Sequence, residues 1–280
     1  MYTRYWHLND SPFLVTNNDS LVYMTDQYRE GIARLYYLIK QERIAGMLTG
    51  DFGVGKTMVL HYLERQAIAT NLKVIKVDAI PEGALPMARH ILRCLEIEHD
   101  APTFAEALML LQEYLQNPAH PLERRLLLID EAHQLAYDQG FYLVHYLCNL
   151  RFLDEQTRVE KPLFTIILAG INSLREKVAG YESLRRRIQL DWQLHPLSRE
   201  ETFGYVKYHL SATGGSEEIF SPAALDSVYQ YSGGIPRSIN NICDTALMLG
   251  FAAQVNVITP EIVAQAASDT GLDAFAPDHV

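Results

Sequence analysis

Cysteine is scarce in this chain, and the three thiols, Cys94, Cys148 and Cys243, lie far apart with no C-x-x-C spacing. That excludes a disulfide framework and a thiolate metal site, and the apolar helical context of each predicts a reduced side chain in the core. None of the ten histidines forms an H-x-x-x-H pair, so no metal site is expected from them; His61, His145 and His209 fit helix faces. Long hydrophobic runs are also missing. Apolar stretches such as residues 163–171 are too short to span a bilayer, and no secretory signal precedes the first domain, so a cytoplasmic protein is expected. Positive charge is in deficit, with 24 Lys and Arg against 34 Asp and Glu, a formal net charge of −10. Attraction of the whole surface for nucleic acid is thereby excluded, although a local basic patch is not. No repeat or low-complexity tract occurs. The 280 residues are 48% hydrophobic and 21% charged, which excludes general disorder and predicts a large core divided into two units.

What is present is concentrated in a few segments. Residues 50–57 read Gly-Asp-Phe-Gly-Val-Gly-Lys-Thr, the pattern G-x-x-x-x-G-K-T, directly after an apolar run at 44–48 and before a helical stretch at 58–69. By composition alone the pattern arises about once in a hundred chains of this length. A strand that turns into a helix through Gly53 and Gly55 can aim successive N–H groups at one point, where side chains would block a polyphosphate. The helix start adds the positive end of its dipole. Lys56 is then expected to reach the β and γ phosphates and the Thr57 hydroxyl to hold Mg²⁺. Gly50, Asp51, Phe52, Gly53, Val54, Gly55, Lys56, Thr57 and Met58 form the candidate nucleotide-binding set.

A second site lies at the end of Arg125-Leu126-Leu127-Leu128-Ile129-Asp130-Glu131, a continuous apolar run closed by two acids. Such a run predicts a parallel strand buried on both faces whose carboxyl end opens into the ligand crevice. Asp130 is suited to hold the metal, directly or through water, and Glu131 to polarise the water that attacks the γ-phosphate.

Further strands are expected at 72–78, 163–169 and 188–194, with helices at 84–96, 103–116 and 141–153, and Pro118 and Pro121 punctuate the approach to the acidic strand. From Ser198 onward only helical patterns remain, at 199–212, 222–231, 235–253 and 260–267, with Ser198, Ser221 and Thr259 as capping residues. This predicts an α/β nucleotide-binding core with its N-terminal segment over residues 1–196, a helical lid over 197–269 and a loose tail over 270–280.

Two arginine features suit that design. Arg185, Arg186 and Arg187 precede the fifth strand, and Arg237 follows Gly233-Gly234-Ile235-Pro236 at the start of a lid helix. An arginine delivered to the γ-phosphate stabilises charge that develops in the transition state. If Arg187 comes from a neighbouring subunit, hydrolysis depends on assembly; if Arg237 swings in from the lid, the lid reports nucleotide state.

The order of these motifs, with L-L-I-D-E-A-H-Q-L at 127–135, L-x-x-R-I at 184–188, S-G-G-I-P-R-x-I-N-N at 232–241 and an opening Met1-Tyr2 followed by Ser11-Pro12-Phe13, resembles the ExeA (GspA) branch of the AAA+ ATPases. The resemblance runs from the first residues to about residue 267. It implies an α/β P-loop core with a parallel five-stranded sheet of order 5-1-4-3-2, a helical lid, ATP with Mg²⁺, and a homo-oligomeric ring or filament. By resemblance Lys56 and Thr57 form Walker A, Asp130 and Glu131 Walker B, Arg237 is the sensor-2 arginine, and Arg187 is the trans finger with Arg186 next. Where the family has Gly-Gln-Pro after the fourth strand, this chain has Gly170-Ile171-Asn172, which assigns Asn172 as the polar sensor one position later.

Founding secretion members continue into a membrane span and a peptidoglycan-binding domain, and neither is found in these residues. The resemblance implies an ATPase that assembles or remodels a secretion or pilus complex, cytoplasmic or peripheral at the inner membrane through a partner. The alternative is a transposition ATPase that polymerises on duplex DNA and recruits a transposase, with Lys73, Lys76, Arg124, Arg125, Arg151 and Arg158 as phosphate contacts. Tyr23, Tyr28 and Pro12 are candidate neighbours of the base.

Overall fold

Helices α1 (Tyr2–Tyr5) and α2 (Asp26–Lys40) lead into strand β1 (Ala45–Thr49) and helix α3 (Lys56–Ala69) in the computed structural model, which describes residues 2–14, 22–97, 101–116, 123–154 and 158–272. Strand β2 (Lys73–Asp78), helices α4 (Ala84–Cys94) and α5 (Phe104–Gln116), and strand β3 (Arg125–Asp130) follow. Next come a 3₁₀ turn (Ala132–Gln134), helix α6 (Gln139–Asn149) and two short strands, β4 (Arg151–Leu153) and β5 (Glu160–Pro162). Strand β6 (Phe164–Gly170), helices α7 (Ser173–Gly180) and α8 (Glu182–Arg185), and strand β7 (Ile188–Gln193) complete the alternating part. Helices α9 (Arg199–Ala212), α10 (Pro222–Ser232), α11 (Pro236–Ala252) and α12 (Pro260–Asp269) follow. Pro118, Pro121 and the tail from residue 273 onward lie outside the described residues.

The chain divides into two units. An α/β unit comprises Gln27–Gly50 and Lys56–Leu194. Its parallel sheet has the order β2-β3-β6-β1-β7. Read from the other edge this is the expected 5-1-4-3-2, with the numbers shifted because β4 and β5 form a separate antiparallel ribbon that the sequence reading did not contain. Burial follows position. The inner strands β1, β3 and β6 are buried at every residue, as continuous apolar runs require, whereas the edge strands β2 and β7 mix buried or half-buried with exposed positions. Phe141, Phe164, Met87, Leu127 and Ile166 fill the core beside the sheet. Register puts Thr49 beside Gly170 and Asp78 beside Asp130, so the carboxyl ends of four strands share one edge. That is the edge where an open α/β sheet holds its ligand.

The ribbon corrects one expectation. Residues 141–153 do not form one helix: α6 stops at Asn149, Leu150 turns extended, and Arg151 donates to the carbonyls of Cys148 (2.7 Å) and Leu150 (3.0 Å). Cys94, expected in the core, is exposed at the last residue of α4, where the chain turns away through Glu96 in the left-handed region; Cys148 and Cys243 are buried as expected.

The helical unit comprises Met1–Asp26, Asp51–Gly55 and His195–Val280. The first residues thus group with α9–α12 and not, as expected, with the core. Hydrophobic burial and hydrogen bonding explain this: Trp6, Leu8 and Phe13 are buried, Trp6 Nε1 donates to Leu247 O and Tyr5 Oη to Val255 O, each at 2.9 Å. Asn9 N donates to Thr213 O at 2.8 Å. Ser198 and Glu201 form a reciprocal capping box on α9, and the Ser221 hydroxyl accepts from Ala224 N on α10. Thr259 stands at the start of α12 but makes no side-chain cap bond to the backbone.

Candidate nucleotide site

Within the α/β unit, β1 delivers the chain to the phosphate loop and α3 starts at Lys56. Lys56 is 6% exposed, and its Nζ donates to Gly50 O at 3.0 Å. The Thr57 hydroxyl donates to Asp130 Oδ2 at 2.8 Å. Two motifs separated by 73 residues are therefore joined at one point. Asp130 is 3% exposed, and its other oxygen accepts from Glu131 N at 2.9 Å.

Glu131 follows the strand in a left-handed conformation, φ 50° and ψ 31°. For a residue with a Cβ this stores about 1–3 kcal/mol, a cost typical of functional turns. Its Oε2 lies 3.3 Å from His133 Nδ1, within reach of an ion pair when the ring is protonated. Burial lowers the His133 pKa and the Glu131 carboxylate partly restores it, while Lys177 and Lys56 lower it further. The Lys177 ammonium also donates to His133 O, and a Cβ on Gly170 would meet His133 N at 3.1 Å. His133 and Lys177 were not singled out in the sequence, although the histidine of D-E-A-H stood in plain view.

A divalent cation and a triphosphate fit this donor set. Among the described residues no three His, Cys, Asp or Glu side chains cluster as a metal site. The hydroxyl of Thr57 and the carboxylate of Asp130 are hard oxygens that suit Mg²⁺ completing its shell with water and phosphate. A buried ammonium favours an anion beside it.

Within the helical unit, Arg237 opens α11. Its N–H donates to Gly53 O at 3.3 Å, and a Cβ on Gly53 would lie 2.8 Å from Arg237 Cβ and 3.0 Å from Ile235 Cγ2. With φ at 80°, Gly53 is the residue type this approach requires. Gly234 is more constrained still: at φ 73° a Cβ there would lie 2.0 Å from Leu197 O. The G-G-I-P-R motif thus fixes where Arg237 starts. Asp51 and Phe52 are exposed and Val54 is buried.

The remaining expectations separate. Arg186 pairs with Glu182 at 2.5 Å, one helical turn back. Arg187 has no carboxylate partner among the described residues, and its charge lowers the pKa of Arg151 and His145, in both cases after burial as the larger cause. Asn172 stands at the start of α7, and its Oδ1 accepts from Gln193 Nε2 at 3.2 Å. Tyr28 is buried on α2, Tyr23 packs on Tyr205 and Tyr208, and Pro12 O is bonded by His209. Two of the six basic residues named for DNA are internal: Arg124 donates to Ile39 O and Thr165 Oγ1, and Arg125, 9% exposed, donates to Glu123 O. Lys76 lies 3.8 Å from Glu64.

No helix among the described residues is long and apolar enough to cross a membrane. A family model described as AAA domain matches residues 39–178. General secretion pathway protein A of Aeromonas hydrophila is 32% identical over 256 residues, covering 90% of this chain and 45% of the relative, so the chain spans less than half the length of that protein. Among solved structures, Cdc6p from Pyrobaculum aerophilum superposes with a TM-score of 0.73 at 17% identity, over 94% of this chain and 71% of the other. The Aeropyrum pernix ORC2 protein gives 0.67 at 13% over 97% and 73%, and the Thermotoga maritima RuvB Holliday junction branch migration motor gives 0.59 at 18% over 94% and 76%. These likenesses speak for the fold. A family match over half the chain, and a relative aligned over nine-tenths of it, establish that this chain belongs to the ExeA (GspA)-like AAA+ ATPases.

Proposed function

We propose that the protein binds ATP with Mg²⁺ and hydrolyses it, and that the cycle drives assembly of a homo-oligomer that remodels or recruits a partner complex in secretion or pilus biogenesis. The observation that carries the reading is the 2.8 Å bond from Thr57 to Asp130, which sets the loop's hydroxyl on the carboxylate that ends β3. Lys56 exchanges Gly50 O for a phosphate oxygen. Thr57 and Asp130 would hold Mg²⁺, which would supply charge neutralisation to the phosphates. Glu131 accepts the proton of the attacking water, and its left-handed backbone turns the carboxylate out of the strand direction. Arg237 reports the nucleotide to the lid. Arg187, which has no carboxylate partner among the described residues, is the side chain offered to a neighbouring subunit's γ-phosphate, with Arg186 held by Glu182.

The DNA reading is weaker because Arg124 and Arg125 are engaged internally. Steady-state ATPase activity measured with and without long duplex DNA at two salt concentrations separates the two. No response supports the envelope reading; strong stimulation that fades as salt rises supports the transposition reading. Normal turnover in Lys56→Ala would remove the site assignment altogether.

A further inference from the structure

Strands β2 and β3 carry a second charged site, at the end away from the nucleotide. Lys73 and Arg125 are the first residues of the two strands and are register partners. Register partners of a parallel pair project from the same face, so two cations stand side by side. Like charges placed in this way repel and cost stability unless something compensates them. Among the described residues, neither side chain has a carboxylate within ion-pair distance. Arg125 is 9% exposed, and of its five guanidinium donors only NH1 is used, in a 2.9 Å bond to the neutral Glu123 O. A charge buried so deeply is ordinarily paired.

Both cations line a cavity of about 240 Å³. Ile75 of β2, Leu95 and Glu96 just past α4, Tyr114 of α5 and Glu123 supply most of the remaining wall. All of them belong to the α/β unit. At about 30 Å³ per molecule of liquid water, the space equals about eight waters, enough for a small organic ligand and far too little for a duplex. Glu96 and Glu123 are exposed and do not reach the cations, so the positive charge is left to a ligand. The far ends of these strands, Asp78 and Asp130, lie about 17 Å away, which separates this cavity from the phosphate loop.

We propose that the cavity binds a small phosphate monoester, its phosphate between Lys73 and Arg125 and its carbon part against Ile75, Leu95 and Tyr114. A phosphate monoester brings a charge of about −1.5 to −2 at neutral pH, which matches two uncompensated cations. The planar guanidinium offers paired donors to the phosphate oxygens, and the lysine adds a point charge. Glu96 and Glu123 repel longer polyanions and are acceptors for hydroxyls on the ligand. This site does not depend on the ATPase reading.

Cys94 lines the same cavity and is exposed, whereas Cys148 and Cys243 are buried, so alkylation of Cys94 by iodoacetamide reports occupancy. The rate is followed by mass spectrometry of the intact protein, with Mg-ADP present throughout to keep the probe out of the phosphate loop. Glycerol 3-phosphate is titrated against sodium acetate at equal ionic strength. The expected result is saturable protection by glycerol 3-phosphate and none by acetate. Lys73→Met, an exposed substitution that should leave the fold intact, is expected to raise the half-saturating concentration by about tenfold or more, the scale for one lost hydrogen bond to a charged group. Arg125→Lys, which keeps the charge and loses the fork, should raise it as well, with the melting temperature showing that the variant is folded. No protection by glycerol 3-phosphate, equal protection by acetate, or an unchanged half-saturation in Lys73→Met overturns the proposal. Failure of the nucleotide reading looks different, because Lys56→Ala would then leave turnover intact while protection of Cys94 persisted.

Discussion

The two units place their strain differently. In the helical unit several buried polar groups are matched at ordinary distances, Tyr205 Oη to Asn240 Oδ1, Trp6 Nε1 to Leu247 O and His209 Nδ1 to Pro12 O, each 2.9 Å, and the buried atoms without a hydrogen bond, Thr202 Oγ1 and His209 Nε2, lie within helix α9. In the α/β unit such atoms include two at strand ends. Glu131 is left-handed, and its Oε2 and the Thr49 hydroxyl are buried with no hydrogen-bond partner. Unmatched atoms inside a helix bear on stability, whereas strain and unmatched atoms at the carboxyl edge of the sheet gather where a ligand is to complete them.

That contrast predicts that changes in the acidic turn alter rate with little effect on stability, and that changes in the helical unit do the reverse. The largest effect is expected for Glu131→Gln: kcat falls by about 10²–10⁴, the usual contribution of a general base, while nucleotide affinity and the melting temperature hold. A melting temperature that drops sharply in this variant would break the comparison. Gly234→Ala should destabilise the helical unit by about 3 kcal/mol or more, since its Cβ would overlap Leu197 O at 2.0 Å and φ is 73°. Urea unfolding measures this, and an unchanged midpoint would contradict it.

The next effect depends on pH. Burial pushes His209 down to about 4 from its ordinary 6.5, partly offset by its bond to Pro12. Between these values the unfolded chain binds a proton that the folded chain does not, so stability decreases as pH falls through that window. The total is about 3 kcal/mol, and His209→Gln should flatten the slope of the unfolding midpoint against pH. A slope that survives the substitution would assign it to another group. Smallest is Ser198→Ala, which removes the capping box of α9 and should destabilise by about 1 kcal/mol without altering ATPase activity.

The phosphate loop and the acidic strand end were legible because each is local: glycine spacing at 50–55, and an apolar run closed by Asp130 and Glu131. The three inner strands were legible for the same reason, since full burial demands unbroken apolar residues, and the two edge strands by their alternation of apolar and polar residues. The ribbon was not, because Arg151–Leu153 continues the composition of α6 and only pairing with Glu160–Pro162 ends the helix. Nor was the attachment of the N-terminal segment legible. Trp6 and Phe13 announce burial but not the surface that buries them.

From the order of its residues alone, this chain determined a nucleotide loop, an acid pair and an α/β core followed by helices, because backbone conformation and period-dependent burial are properties of neighbours in sequence. Tertiary structure alone decided that Thr57 meets Asp130, that Arg186 pairs with Glu182, and that Gln193 on β7 meets Asn172 at the start of α7. Side-chain polarity and pairing depend on which strands become neighbours, and hydrogen-bond direction is settled only when donors and acceptors from separate elements are brought within reach of one another.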